Sequence, residues 1–550
     1  MTAKFTIQTI SLCVLTALIG ACSSPKTSTQ TDDVAEATTS TIAQANDIAS
    51  APIINTQAKQ MAHYSMHRQA EVAYTPPNHE NYQDKTPNPI NDTTKNALAT
   101  FSIDTDTGSY ANTRRHLNDG ALPPTNAVRI EELINYFNYD FSQAIRQNDA
   151  PFLVSTETVS SPWKQTNHII KIAIKADDPT ADKFSKNNEL PPANLVFLVD
   201  VSGSMDENDK LPLVQASLKM LTKNLREQDT ISLITYAGNT EIVLPATSGK
   251  ETAKIMSAID HLTASGSTNG EAAIKLAYAQ ARQAFKKDGI NRILMMTDGD
   301  FNVGVSDVDD MLEIIRRERD SGVSLSTFGF GQGNLNDHMM EQVADNGNGN
   351  YSYIDSLSEA KKALIDEMSA TFNTVAKDVK VQVEFNPNTV KEWRLIGYEN
   401  RVLASEDFNN DKVDAGDLGA GKAVVALFEI TPSHQKGMLD DSRYQPKTID
   451  NKKSDELGYL KIRYKSPNGN TSKLIEFPIK NQVTKPSHDL KFAMAVAGFG
   501  QLLTQSPYVG DWHFADSKKL AQSGLGKDEQ GLRHEFVKLI ELADGLTPSK

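Results

Sequence analysis

The stretch 195-LVFLVDVSGSM-205 runs five apolar residues into Asp200 and then places two hydroxyls, Ser202 and Ser204, at alternate positions. Alternation puts the three side chains on one side of an extended turn, and Gly203 lets the backbone bend. Two other segments bring oxygen atoms: Thr268 in SGSTNG, ahead of a helix start, and Asp298 at the end of ILMMTD. Hard divalent cations take oxygen ligands, and Mg2+ asks for an octahedron that retains several waters. Serine and threonine hydroxyls are neutral. With only two carboxylates nearby, a bound divalent ion is at most neutralised, and a position on it can still take one more anionic oxygen, such as a carboxylate from another protein.

Such a site needs elements that end at one edge. LVFLV is a continuous apolar run, as expected of a strand covered on both faces. Leu213, Val214, Leu218, Leu221 and Leu225 then mark a helix that tolerates Pro212 in its first turn. Further strands read at 230-TISLITYA, 241-EIVLPA, 293-ILMMTDG, 323-VSLSTFGFG and 351-YSYID, with helices from residues 251, 271, 308, 335 and 358 among them. This alternation predicts an α/β fold with a doubly wound, mostly parallel sheet, whose ligands bind beyond the carboxyl ends of the strands.

DVSGSM, the threonine of SGSTNG and the strand-ending TDG together resemble the metal-ion-dependent adhesion site of von Willebrand factor type A domains. The resemblance implies a Rossmann-like domain with Ser202, Ser204 and Thr268 as direct ligands and Asp200 and Asp298 acting mainly through waters. It implies Mg2+, Mn2+ or Ca2+ as the ion, and a partner protein that contributes an acidic side chain. Asp300, just beyond, receives no role. FSIDTDTGSYANTRRHL, VRIEELINYF, TDGDFNVG and the C-terminal part resemble a group of bacterial type A lipoproteins. That similarity runs from residue 79 to the end and carries no agreed biochemical activity.

The 550 residues are too many for one core, and a net charge of -14 argues against nucleic acid as a partner. MTAKFTIQTISLCVLTALIGAC has one lysine, an apolar run and small residues, the layout of an export signal over 1–21. Its Leu18–Cys22 end resembles a bacterial lipobox, which implies acylation of Cys22. Of the 2 cysteines, Cys13 lies in the part to be removed, so the mature chain would hold no disulfide. Ser23 after the cysteine implies an outer-membrane lipoprotein facing the periplasm, held by several acyl chains. Residues 22–78, rich in Ser, Thr, Ala and Asp, read as a flexible tether. The expected folded parts are a small α+β domain over 79–190, the type A domain over 191–372, and a β-rich then helical domain over 373–550.

Three other motifs offer competing chemistry. Asp106-Thr107-Gly108-Ser109 spells the aspartic protease signature, but the nearest second copy, Asp320-Ser321-Gly322-Val323, ends in valine; Asp106 and Thr107 are expected to cap a helix instead. Gly416 through Lys422 fits a phosphate-loop spacing, but Ala423 replaces the hydroxyl and a strand follows. Asp407, Asn409 and Asp411 begin like a calcium loop, yet Lys412 and Leu418 stand where glycine and a bidentate acid belong. The expected function is metal-dependent protein binding or adhesion, without catalysis. The alternatives are a metal-assisted hydrolase using the same ion, which lacks a general base in the motif, and a structural scaffold in which the metal site is incidental.

Overall fold

Strands that are apolar on both faces must be covered on both faces, and here that requirement reaches across distant parts of the chain. The computed structural model describes residues 78–178, 191–267, 270–299, 308–367, 370, 373–440, 453–467 and 469–548. The expected export segment, Cys22 and the expected tether up to residue 77 lie outside them, as do Thr268 and Asp300.

Ahead of the type A segment come β1 (Asn91–Asp92), β2 (Leu98–Ser102), α1 (Gly108–Asn118), α2 (Ile130–Asn135), β3 (Phe152–Ser160) and β4 (His168–Ala176). The type A segment follows with β5 (Ala193–Asp200), α3 (Leu211–Thr222), β6 (Thr230–Tyr236), β7 (Thr240–Ser248), α4 (Thr252–Asp260) and α5 (Gly270–Gln283). It continues with β8 (Ile290–Thr297), α6 (Val308–Arg319), β9 (Ser324–Phe330), α7 (Asp337–Asn346), β10 (Tyr351–Ile354) and α8 (Leu357–Lys361). Its sheet has the order β10-β9-β8-β5-β6-β7. All neighbours are parallel except β6 and β7, which pair antiparallel. Leu195, Phe197 and Val199 of β5 face a core shared with Val214 and Leu218 of α3. Val196 and Leu198 face the opposite core, with Ala273 of α5 and Met340 of α7. Every residue of β5 is buried, as its unbroken apolar run predicts.

After the type A segment come β11 (Thr374–Phe385), β12 (Val390–Ile396), β13 (Leu418–Gly419), β14 (Ala423–Pro432), β15 (Glu456–Lys465) and β16 (Ser472–Lys480). The chain then turns helical in α9 (His488–Leu503), α10 (Phe514–Ser523) and α11 (Leu532–Leu546). These strands do not form a layer of their own. One sheet has the order β1-β12-β14-β4-β3; a second has β13-β11-β15-β16, with β2 also pairing β11. The segments expected over 79–190 and 373–550 do not build separate sheets: both contribute strands to the same two. The reason is burial. β4 is buried at every position but His168 and Lys175 and finds cover in β14, in register from Lys175 opposite Ala423 to His168 opposite Ile430. A two-strand hairpin of β3 and β4 alone would be marginal in water.

The two faces of that shared sheet take different cover. Val424, Ala426 and Phe428 of β14 pack with Val381 and Val383 of β11 between the two sheets. Val425 and Leu427 pack under a helical layer with Ile130 and Leu133 of α2, Phe492 and Val496 of α9 and Phe536 of α11. Buried ion pairs join this body to the type A segment. Arg114 of α1 binds Asp355 at 2.6 Å and Glu359 at 2.7 Å, and Arg129 reaches Asp337 of α7 at 2.5 Å. Asp104, Glu132 and Glu341 bring one carboxylate oxygen each within 4.8 Å of one another. Arg401 pairs with Asp104 and Glu341, and Arg129 with Glu132, so this group is an ion-pair network at the junction.

Candidate functional site

β5 and β8 are neighbours from which the chain runs off in opposite directions across the sheet, the place where α/β folds open a crevice beyond the strand ends. β5 ends in Asp200, and β8 ends in Thr297 with Asp298 next. Both carboxylates are fully buried. Asp200 accepts from the Ser202 backbone N–H at 2.9 Å through one oxygen and from the Thr297 hydroxyl at 2.8 Å through the other. Thr297 thus links the two strand ends, and its hydroxyl also accepts from the Gly299 N–H at 3.1 Å. Burial, with Asp298 nearby, pushes the Asp200 carboxyl up to about 6. Below it, burial and the Asp200 charge hold the Tyr236 phenol well above its ordinary range.

The turn after β5 is a short 3-10 segment, Gly203–Met205. It leaves the Ser202 and Ser204 hydroxyls 3.1 Å apart. The Gly203 N–H donates to the Gly266 carbonyl at 2.9 Å, and the Ser265 N–H to the Val201 carbonyl at 2.7 Å. These bonds hold the loop ahead of Thr268 against the serine turn. Asp200, Ser202, Ser204 and Asp298 therefore converge at one edge, while Thr268 lies outside the described residues. All the oxygens brought together are hard, two are anionic and buried, and two are neutral hydroxyls. This donor set fits a hard divalent cation.

One residue here escaped the sequence reading. Lys210, just ahead of α3, is 2% exposed. Its ammonium donates to the Ser204 carbonyl at 2.9 Å and lies 3.3 Å from Asp298 Oδ2. Its local signal was weak, since a lysine in DENDK reads as one more solvated charge.

The competing motifs resolve into structural contacts. Thr107 precedes α1 without a side-chain cap bond. Asp106 instead accepts from the Tyr351 N–H at 2.9 Å and pairs with Arg401 at 3.3 Å, which corrects its expected capping role. Asp320, the second copy, is 80% exposed at the end of α6. Lys422 binds Glu367 at 2.8 Å. In the acidic loop, the Lys380 ammonium donates to the carbonyls of Asp407 and Asn410 at 3.1 and 2.6 Å, so an internal cation already serves those oxygens. Among the described residues, no helix is long and apolar enough to cross a membrane.

Known proteins match this architecture. A model of the von Willebrand factor type A domain matches residues 194–367, one described as von Willebrand factor matches 76–171, and one described as uncharacterized protein YfbK, C-terminal, matches 370–546. Uncharacterized protein YfbK of Escherichia coli (strain K12) is 51% identical over 473 residues, covering 85% of this chain and 81% of the relative. Uncharacterized protein sll0103 of Synechocystis is 26% identical over 338 residues, covering 60% of this chain and 74% of that protein. A solved von Willebrand factor type A protein from Catenulispora acidiphila aligns at 14% identity and a TM-score of 0.40, over 72% of this chain and 91% of its own. Type A domains are in general interaction modules, often metal-dependent. At half-identity across most of both sequences, the chain belongs to the YfbK family of von Willebrand factor type A domain proteins.

Proposed function

We propose that the chain is a bacterial envelope lipoprotein whose type A domain grips an acidic side chain of a partner protein through a divalent cation, Mg2+ or a similar ion. One observation carries this reading: two buried carboxylates and two serine hydroxyls converge at the carboxyl ends of β5 and β8. Ser202 and Ser204, with Thr268, would hold the ion directly, and Asp200 and Asp298 would hold its waters. When bound, the ion supplies a Lewis-acidic position that an incoming carboxylate oxygen can fill. The protein's own part is orientation. Thr297 and the Ser202 N–H clamp Asp200, and the Gly203–Gly266 bond fixes the serine turn before any ion arrives. The lipid anchor at Cys22 and an outer-membrane location facing the periplasm rest on the sequence of the export segment.

Three measurements test this. Titration calorimetry with Mg2+ or Mn2+ should show one binding event that the Asp200→Ala, Ser202→Ala variant loses while its far-UV spectrum stays unchanged. Capture from envelope extract should be abolished by chelator and by the same variant. Metal binding unchanged in the variant would sink the site assignment, and chelator-resistant capture would sink the metal-dependent mode. Palmitate labelling lost on Cys22→Ser would support the anchor.

A further inference from the structure

The assignment of Asp200, Ser202, Ser204 and Asp298 to a divalent site leaves a buried cation to be explained. Lys210 is 2% exposed, and its ammonium sits between the Ser204 carbonyl and Asp298 Oδ2 at 2.9 and 3.3 Å. Space has been made for it. Gly331, just past β9, has φ +75, and a Cβ there would lie 2.3 Å from Lys210 Cγ. The lysine backbone is tied at both ends: its N–H donates to the Glu207 carbonyl at 3.0 Å, and its carbonyl accepts from the Val214 N–H at 2.9 Å. Glu207 Oε1, 3.9 Å from the ammonium, is 68% exposed and screened by water. Asp298 is the buried acid that faces it, and Asp200 is close enough to Asp298 for their charges to interact.

We propose that Lys210 is a positioning residue that sets the charge of the adhesion site and so selects an anionic ligand, specifically a carboxylate side chain. The proposal rests on the reading of this edge as a divalent site. Among the described residues buried at this edge, two carboxylates and one ammonium sum to a single negative charge. A divalent ion turns that into a single positive charge, whereas without the ammonium the loaded site would be neutral. Lys210 therefore acts with opposite sign on the two binding steps. It repels the metal ion, and it strengthens the attraction of the loaded site for a carboxylate. In the metal-free protein it also offsets the charge of Asp298, which lies buried close to Asp200. Both effects are large only because Lys210, Asp200 and Asp298 are buried; exposed charges at similar distances would be screened.

The experiment uses Mn2+ and acetate as probes. Mn2+ affinity is read by electron paramagnetic resonance, and acetate binding to the Mn2+-loaded protein by the paramagnetic relaxation of its methyl protons. Lys210→Met should bind Mn2+ tighter, on the order of tenfold, and hold acetate weaker by a similar factor. Its metal-free form should melt lower, and saturating Mn2+ should restore most of the loss. Lys210→Gln, which keeps a donor for the Ser204 carbonyl and removes only the charge, should show the same opposed shifts. Both affinities falling together in the two variants, or neither moving, would make Lys210 a packing residue and overturn the proposal. Failure of the wild-type protein to bind Mn2+ would be a different result: it would remove the divalent site itself, and this proposal with it.

Discussion

Glu367 sits where the last turn of the type A segment meets the start of β14, bonded to Lys362 at 2.6 Å and Lys422 at 2.8 Å. Burial opposes its ionisation, but the two ammonium groups and their hydrogen bonds outweigh it and hold the carboxyl down at about 2. A folded-state value below the unfolded one means that this group stabilises the protein above the unfolded value of 4.5 and loses that contribution as pH falls towards 2. With 24% of the side chain still in water, the contribution at neutral pH is about 2 kcal/mol. Glu367→Gln should therefore cost about that much in urea unfolding at pH 7 and progressively less below pH ~4. An equal cost at both pH values would show that the variant acts through packing alone. This pair was hidden in the sequence. Lys422 stood out there for its phosphate-loop spacing, and nothing local linked it to an acid 55 positions earlier.

At the scale of elements, the helical layer depends on close approach. α9 is buried along nearly its whole length, with Phe492, Val496 and Phe499 inside and glycines at 498 and 500. A Cβ at Gly498 would lie 2.6 Å from Trp512 Nε1 and 3.2 Å from Ser517 Oγ. Those two atoms hydrogen-bond to each other at 2.7 Å at the entry to α10. Gly498→Ala should push the indole aside and break that bond, at a cost of about 1–3 kcal/mol measured by chemical unfolding. Tryptophan fluorescence should shift to longer wavelength as Trp512 gains water. A variant with unchanged stability and emission would mean the helices can spread without penalty. The apolar spacing of α9 and α11 was legible in the sequence. α10 was not, because only Phe514, Ser517 and Ala521 of its ten residues are buried. β16 is equally hard to read from sequence: it is an edge strand, with Lys473, Leu474, Pro478 and Lys480 exposed.

For the molecule as a whole, the type A segment interrupts a body built from the chain on either side of it. β4 needs β14, β2 needs β11, and α2 packs with α9. A chain cut after residue 372 keeps every strand of the type A sheet but leaves β2 without β11 and the β3–β4 hairpin without β14. Limited proteolysis of that fragment should digest residues 78–178 and spare 191–367, while the full-length protein protects both. Equal protection in the fragment would show that the N-terminal segment folds on its own and that the shared sheets are not what stabilises it. Buried pairs such as Arg114 with Asp355 and Glu359 then connect the interrupted body to its insert. Such pairs are costly to break because each leaves a buried charge alone.

The sequence by itself determined the type A domain and the oxygen-bearing ends of β5 and β8, because strand and helix periods are local and DVSGS and TDG each sit beside the strand that positions them. Tertiary structure alone decided how the flanking segments combine, since Phe428 of β14 and Val381 of β11 look the same whether their partners are near or hundreds of residues away. It also decided the charge of the candidate site. A lysine is a solvated point charge until burial against a carboxylate turns it into a fixed electrostatic element, and only the fold brings Lys210 to Asp298 across 88 residues of chain.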